Sequence, residues 1–509
     1  MLKKAADDAK KAVQSALNAS SPKLNVSEVS EIISISSGTA EVSGLKNVRM
    51  NELLLFKNNV TGMVQTLKSD SVGVVFLNNP DTLKAGDKVR RTGRVLDVPV
   101  GDELLGRVID PLGNPLDDLG SVQTDQRLPI EVEATPIMDR AGVDTPLQTG
   151  IKAIDSFIPI GRGQRELILG DRQTGKTALA LDTIINQKNT GVICIYCSIG
   201  ARTASVARVI DDLKKYGAIK HTIVMVASGS DEAGLQYIAP YAATAIGEYF
   251  MHRGQDVLIV YDDLTAHARA YRQISLLLRT PPGREAFPGD IFYIHARLLE
   301  RSTRLKSELG GGSLTALPIV STEAGNISAY IPTNIISITD GQIYLSASLF
   351  QKGIMPAVDT GRSVSRVGGD AQLPAYRKLI GPLKLFYAQF EELESFAKFG
   401  TQTDAQTQKR LIHGRAVRAV LQQLQYRPLP PETQIAIFTA LNAGVYDTVI
   451  PDQMTKAQEL TDTLLHERFQ SLIDLMVRDK KVPDKTQTDT FLSALTYTLE
   501  KQGLIGQSA

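Results

Sequence analysis

Gly170-Asp171-Arg172-Gln173-Thr174-Gly175-Lys176-Thr177 has the spacing G-x-x-x-x-G-K-[ST], in which loop amides cradle phosphate. Its setting decides the fold. Arg165-Glu166-Leu167-Ile168-Leu169 reads as a strand ending at Gly170. The stretch from Thr177 to Ile185 reads as the helix that follows, with Ala178 in its first turn. The loop amides then point at a bound β-phosphate from the positive end of a helix. Lys176 supplies a mobile point charge, and the Thr177 hydroxyl can ligate Mg²⁺. A nucleoside triphosphate site is expected here. The competing reading is a glycine turn in an ordinary βα unit.

Asp256-Val257-Leu258-Ile259-Val260-Tyr261-Asp262-Asp263 is a short apolar run ending in two carboxylates. A buried parallel strand has this pattern, and an α/β sheet places its ligands at the C-terminal ends of such strands. Asp262 is expected to hold Mg²⁺ through water, opposite Thr177. Asp263 is better suited to cap the helix that starts near Leu264 than to bind a metal.

Working outward, strands at 165–169, 191–197, 222–227 and 256–261 alternate with helical stretches such as Asp231 to His252. This predicts a mostly parallel sheet covered on both faces. Upstream, short alternating or apolar runs from about residue 29 to 95, punctuated by Gly, Asn and Asp, predict a small antiparallel β-barrel. Downstream, Leu379 to Phe399 and Gln406 to Leu424 carry apolar residues at three- and four-residue spacing. The expected fold is therefore multidomain: a partner-docking N-terminal helix at 1–24, a barrel at 25–95, an α/β nucleotide-binding domain at 96–372, and a helical domain at 373–509. The 509-residue length suits about three domains of roughly 150 each.

Composition excludes several function classes. A net charge of +1 shows no basic excess for a nucleic acid. The barrel segment lacks aromatics alternating with Arg or Lys, which favours an assembly collar over an RNA surface. No apolar run approaches the roughly 20 residues needed to span a bilayer, so any membrane link goes through partners. Cys194 and Cys197 lie three apart on one strand and face opposite sides. They are expected to be two buried thiols. Met1 to Ser20 has no apolar core of signal-peptide length; it reads equally as a polar amphipathic helix that docks a partner or as a frayed, solvated N-terminus.

At this point the chain resembles the α-subunit family of F-type ATP synthases over nearly its whole length. The strings that carry the resemblance are Gly161-Arg162-Gly163-Gln164-Arg165-Glu166-Leu167 running into the phosphate loop, Pro281-Pro282-Gly283-Arg284-Glu285-Ala286-Phe287-Pro288-Gly289-Asp290, Ala329-Tyr330-Ile331-Pro332-Thr333-Asn334, and Ser363-Val364-Ser365-Arg366-Val367-Gly368-Gly369. The Asp171-Arg172-Gln173-Thr174 filling is particular to α; the related β subunit has a Gly-Ala-Gly-Val type filling. The stretch Glu391 to Gly400 also resembles the α version.

The resemblance implies a hexameric ring of alternating α and β around a rotating γ shaft. It implies ATP or ADP with Mg²⁺ at this chain's own site, and contact with the δ subunit or peripheral stalk through the N-terminus. The loop from Pro281 to Asp290 would form part of the sleeve around the shaft. The membrane is reached only through the Fo sector, with protons or sodium ions as the coupled species. The short connection between Asn186 and Val192 and the lack of a visible presequence suit the cytoplasmic face of a bacterial plasma membrane.

The resemblance also assigns residues. Catalytic β relatives hold a glutamate at the place of Ala201, where α chains usually hold glutamine. Without a carboxylate, water is neither oriented nor relieved of its proton, so the site is expected to bind MgATP without hydrolysing it. Arg366 corresponds to the arginine that reaches across the interface to the γ-phosphate bound by β, and Ser363 would help shape that interface. Phe350 and Pro356 resemble residues that pack near adenine. Gln423 and Gln425 resemble the pair approaching the base from the helical domain. Met355 replaces a family arginine; it packs on a purine face but offers no charged donor, which points to looser nucleotide selectivity or affinity.

Three other readings compete. A self-sufficient homohexameric export ATPase shares this core but needs its own catalytic carboxylate. A ring-shaped RNA translocase of the terminator type would use the barrel to hold RNA. A purely structural role fits poorly with an intact Lys176, Thr177 and Asp262.

Overall fold

The computed structural model of the protein describes residues 28–397 and 404–505. The N-terminal segment at 1–24, expected to dock a partner, lies outside the described residues, as do the last residues of the Glu391 to Gly400 string. The chain forms two compact units. One comprises the N-terminal part through Phe76 with Pro80–Val95; the other comprises Leu77–Asn79 with Leu96–Ala509.

The first unit is a closed six-stranded barrel. Its strands are β1 (Val29–Ser36), β2 (Thr39–Ser43), β3 (Glu52–Leu55), β4 (Thr61–Leu67), β5 (Ser71–Phe76) and β6 (Lys88–Val95). They run in the order β1-β2-β5-β4-β3-β6, and β1 pairs back onto β6 to close it. Closure leaves no unpaired edge. Val42, Leu54, Val64, Val74 and Val89 fill the interior. The two aromatic rings of the described barrel, Phe56 and Phe76, are also buried there, edge to face at 5.2 Å.

In the second unit, β7 (Asp97–Val100) and β9 (Gln126–Pro129) form a two-stranded ribbon. The main sheet has eight strands: β8 (Val108–Ile109), β10 (Glu166–Asp171), β11 (Ile193–Ala201), β12 (Thr222–Ser228), β13 (Asp256–Asp262), β14 (Ser313–Thr322), β15 (Gly341–Leu345) and β16 (Val364–Ser365). Their order is β16-β15-β10-β14-β13-β11-β12-β8, parallel throughout except for β16 at one edge. Helices cover both faces, so the strands read as continuous apolar runs. Val257 to Tyr261 of β13 are all fully buried. Each such side chain contributes about 1.5–3 kcal/mol by leaving water.

Five longer helices follow the sheet: Pro374–Ala397, Ala405–Leu421, Pro431–Asn442, Met454–Arg468 and Lys485–Lys501. Their apolar faces share one continuous core with the sheet domain, running from Ile168 and Ile184 to Phe390, Val417, Phe438 and Leu495. The α/β part and the helical part thus belong to one compact unit. Asp155, in the short helix Lys152–Phe157, helps lock the two parts. It is buried and accepts from the Thr149 and Gly150 amides, the Thr149 hydroxyl and Gln434 of the helical part.

Candidate nucleotide site

The site begins where β10 ends. Gly170 admits no side chain: a Cβ there would lie 2.7 Å from the Leu345 carbonyl oxygen. Gly175 has φ 98°, a left-handed conformation that glycine adopts without strain. It starts the helix Lys176–Asn186 and offers no capping side chain, so the first amides of that helix are left for a ligand. Asp171 turns away from the site. Its carboxylate accepts from the Thr322 hydroxyl (2.6 Å) and the Gly325 amide (2.8 Å), tying the loop to β14. Thr174 closes the loop by donating to the Asp171 carbonyl at 2.8 Å. Arg172 and Gln173 are exposed at its tip.

Lys176 folds back over this loop. Its ammonium donates to the carbonyls of Gly170 (2.9 Å) and Asp171 (2.6 Å). Burial lowers its pKa, against the opposing pull of Asp263, Asp262 and Asp171. A buried cation held only by neutral carbonyls at a helix N-terminus is poised to receive phosphate oxygens.

Opposite it, at the end of β13, Asp262 Oδ2 accepts from the Thr177 hydroxyl and from the Tyr196 hydroxyl, both at 2.7 Å. Burial raises the Asp262 pKa, opposed by those two hydrogen bonds. Asp263 caps the helix Leu264–Leu277, accepting from the Ala266 amide at 2.7 Å, as its position predicted. Among the described residues no cluster of His, Cys, Asp or Glu forms a metal cage. That donor set suits Mg²⁺, which is held through one or two carboxylates plus substrate phosphates and keeps several waters. The buried Ser198 hydroxyl, beside Asp262 in the sheet register, has no hydrogen-bond partner among the described residues and adds an unused polar group at this spot.

A cavity of about 290 Å³ continues from the loop toward the helices. It is lined in part by Ala178, Phe350, Met355, Pro356, Gln423 and Gln425. The structure thus gathers every base-pocket residue expected from sequence around one cavity, but the two glutamines differ. The preceding helix ends at Leu421 rather than running to Leu424, and both lie in the loop beyond. Gln425 is exposed and lines the cavity. The Gln423 side chain is committed to backbone: it accepts from the Lys152 amide (3.0 Å) and donates to the Gly150 and Arg427 carbonyls (both 2.7 Å). It shapes the pocket instead of presenting free polar atoms to a base.

Sequence reading missed Asp182 and Tyr196. Asp182 also lines the cavity and accepts from the Tyr426 amide at 2.9 Å, holding the Gln425 loop in place. A carboxylate inside the apolar run of a buried helix was the available signal; for Tyr196 it was a hydroxyl in an apolar strand.

Ala201 ends β11 and brings only a methyl group there. Cys194 and Cys197 are buried, free thiols whose pKa burial pushes up.

Arg366 lies away from the loop, just after edge strand β16. Its amide donates to the Asp340 carbonyl at 2.9 Å, while its exposed side chain has no hydrogen bond or ion pair among the described residues. Ser363 does not present its hydroxyl outward. It is buried, donating to the Asp359 carbonyl (2.6 Å) and accepting from the Tyr344 amide (2.9 Å). Its role in this structure is to hold the segment that carries Arg366. Arg362 is exposed and lies over the Tyr344 ring.

Residues 25–93 match the beta-barrel domain of the ATP synthase alpha/beta family, and residues 150–365 match that family's nucleotide-binding domain. Residues 372–496 match the C-terminal domain of the same alpha/beta subunits. The protein is 57% identical over 472 residues to ATP synthase subunit alpha 2 of Syntrophus aciditrophicus (strain SB), covering 91% of each. It is 58% identical over 469 residues to ATP synthase subunit alpha 1 of Marinomonas sp. (strain MWYL1), covering 91% of this sequence and 92% of that one. A third relative, ATP synthase subunit alpha 1 of Chlorobium luteolum (strain DSM 273 / BCRC 81028 / 2530), is 54% identical over 501 residues and 98% of each sequence.

Proposed function

The chain belongs to the ATP synthase alpha/beta family, among its α subunits, and on that premise we propose that it binds MgATP or MgADP without hydrolysing it and lends Arg366 to the catalytic site of a neighbouring β subunit. The observation that carries this reading is Lys176, Thr177 and Asp262 gathered at the phosphate loop, with only a methyl group at Ala201 where the neighbouring strand β11 ends. Lys176 and the helix amides take phosphate charge. Thr177 and Asp262 hold the cation and its water, and Mg²⁺ when bound neutralises charge on the phosphate oxygens. The base packs among Phe350, Met355 and Pro356. Hydrolysis further requires a group that orients water and accepts its proton, and Ala201 can do neither.

The exposed guanidinium of Arg366 supports the second half. An arginine finger stabilises charge spreading over the transferring phosphoryl oxygens and is worth on the order of 10³–10⁵ in rate. A solvent-facing arginine with no hydrogen bond or ion pair among the described residues of its own subunit, and only a longer-range attraction to the buried Glu166, is free to serve another. The proposed assembly is an alternating ring with β around the γ shaft. The loop 281–290 faces that shaft, the N-terminus meets the δ subunit or peripheral stalk, and the Fo sector provides the only membrane link, on the cytoplasmic face of a bacterial membrane. Among the described residues no helix is long and apolar enough to cross a membrane. The RNA-translocase alternative loses support because both aromatic rings of the described barrel are internal, leaving none there for base stacking.

The test is MgATP binding and phosphate release measured together on the purified protein. Binding without turnover is expected; sustained turnover would transfer it to the homohexameric ATPases. In a ring assembled with a β-type subunit, Lys176→Ala is expected to weaken nucleotide binding to this subunit and leave substantial turnover. Complete loss of turnover in an intact ring would contradict a noncatalytic site.

A further inference from the structure

Tyr196 stands on β11, beside β13, with Tyr196 opposite Val260 and Ser198 opposite Asp262. Its ring is buried, and its hydroxyl reaches along the strand to Asp262 Oδ2 at 2.7 Å. The Thr177 hydroxyl donates to the same oxygen at the same distance. Asp262 Oδ1 accepts no hydrogen bond from a described residue. Two donors therefore converge on one carboxylate oxygen and leave the other open.

We propose that Tyr196 is a positioning residue for the divalent cation: it fixes the Asp262 carboxylate so that Oδ1 faces the cation's water shell. A carboxylate turns easily about its terminal torsion, whose wells are broad, and an anchored oxygen removes that freedom. Thr177 cannot anchor it alone. Its hydroxyl is a cation ligand and belongs to the phosphate loop. The Tyr196 hydroxyl instead projects from a sheet strand whose place is set by core packing. Partners of this kind, one step removed from a metal, typically change its affinity 10- to 100-fold. The inference rests on the MgATP reading above.

The experiment is Tyr196→Phe in the full-length protein, which keeps the ring and removes only the hydroxyl. ATP affinity is measured calorimetrically over a Mg²⁺ series and again in excess EDTA. The expected result is that half-maximal Mg²⁺ enhancement of ATP binding shifts to about 10- to 100-fold higher Mg²⁺, with ATP affinity in EDTA unchanged. An unshifted Mg²⁺ dependence overturns the inference. An equal loss with and without Mg²⁺ also overturns it, because that is the signature of a packing defect. If ATP binding to the parent protein ignores Mg²⁺, the MgATP reading itself fails and takes this inference with it.

Discussion

Gln423→Ala separates a residue that reads the base from one that builds the pocket. The Gln423 side chain makes three hydrogen bonds, all to backbone: with Lys152, Gly150 and Arg427. Each contributes about 0.5–1.5 kcal/mol net. Truncation forfeits all three and strands the Lys152 amide, while the Gly150 carbonyl keeps the Leu429 amide and water re-solvates the more exposed Arg427 carbonyl. The sum is a loss of about 1.5–4.5 kcal/mol. The Gln423 amide bond to the Met355 carbonyl survives, because it belongs to the main chain. Guanidinium denaturation followed by circular dichroism measures the loss, with Gln425→Ala as the control. Gln425 is exposed, so its truncation should cost under about 0.5 kcal/mol and act on nucleotide affinity instead. Calorimetry with ATP and GTP completes the comparison. Unchanged stability in Gln423→Ala, together with a lowered preference for ATP over GTP, would refute the reasoning and make Gln423 a base-reading residue.

Arg366→Ala, in a ring assembled with a β-type subunit, is expected to lower ATP turnover on the order of 10³–10⁵-fold without dispersing the ring, because the side chain makes no hydrogen bond or ion pair among the described residues of its own subunit. Turnover near the parent's would remove the finger assignment. A pH prediction follows from burial, which pushes the carboxyls of Asp155 and Asp182 up to about 6. Unfolded carboxyls titrate near about 4. Between those values the folded protein holds more protons than the unfolded one, so stability falls as pH rises through that window. Asp182→Asn removes one of the two contributions and keeps an acceptor for the Tyr426 amide. It should stabilise the protein by about 3 kcal/mol at pH 7 and by nothing near pH 4. Equal denaturation midpoints for variant and parent at pH 7 would contradict the burial effect.

Most of the candidate phosphate and cation site was legible in sequence because its geometry is local. A glycine-bounded loop between a strand and a helix determines where its amides point, whatever surrounds it. Asp263 was legible as a cap for the same reason, since the cap bond spans three residues. The helix ending at Leu421 was read three residues too long, because the apolar spacing carries on to Leu424 while the backbone turns extended at Gln422. That boundary decides what Gln423 does. Ser363 was read by its neighbours in a string of residues, but burial assigned its hydroxyl to Asp359 and Tyr344.

By itself the sequence determined the order of elements, the phosphate loop with Lys176 and Thr177, the Asp262 strand end, and the methyl at Ala201. These follow from periodicity and from bonds between residues close in the sequence. Tertiary structure alone decided that Tyr196 and Thr177 share one oxygen of Asp262, that Gln423 belongs to the backbone around Gly150, and that Asp182 lines the cavity and accepts from the Tyr426 amide. Those contacts join residues 66, 85, 273 and 244 positions apart. A donor finds its acceptor at such distances only after the sheet and the helices have packed, and no local pattern records which of the candidate partners it will meet.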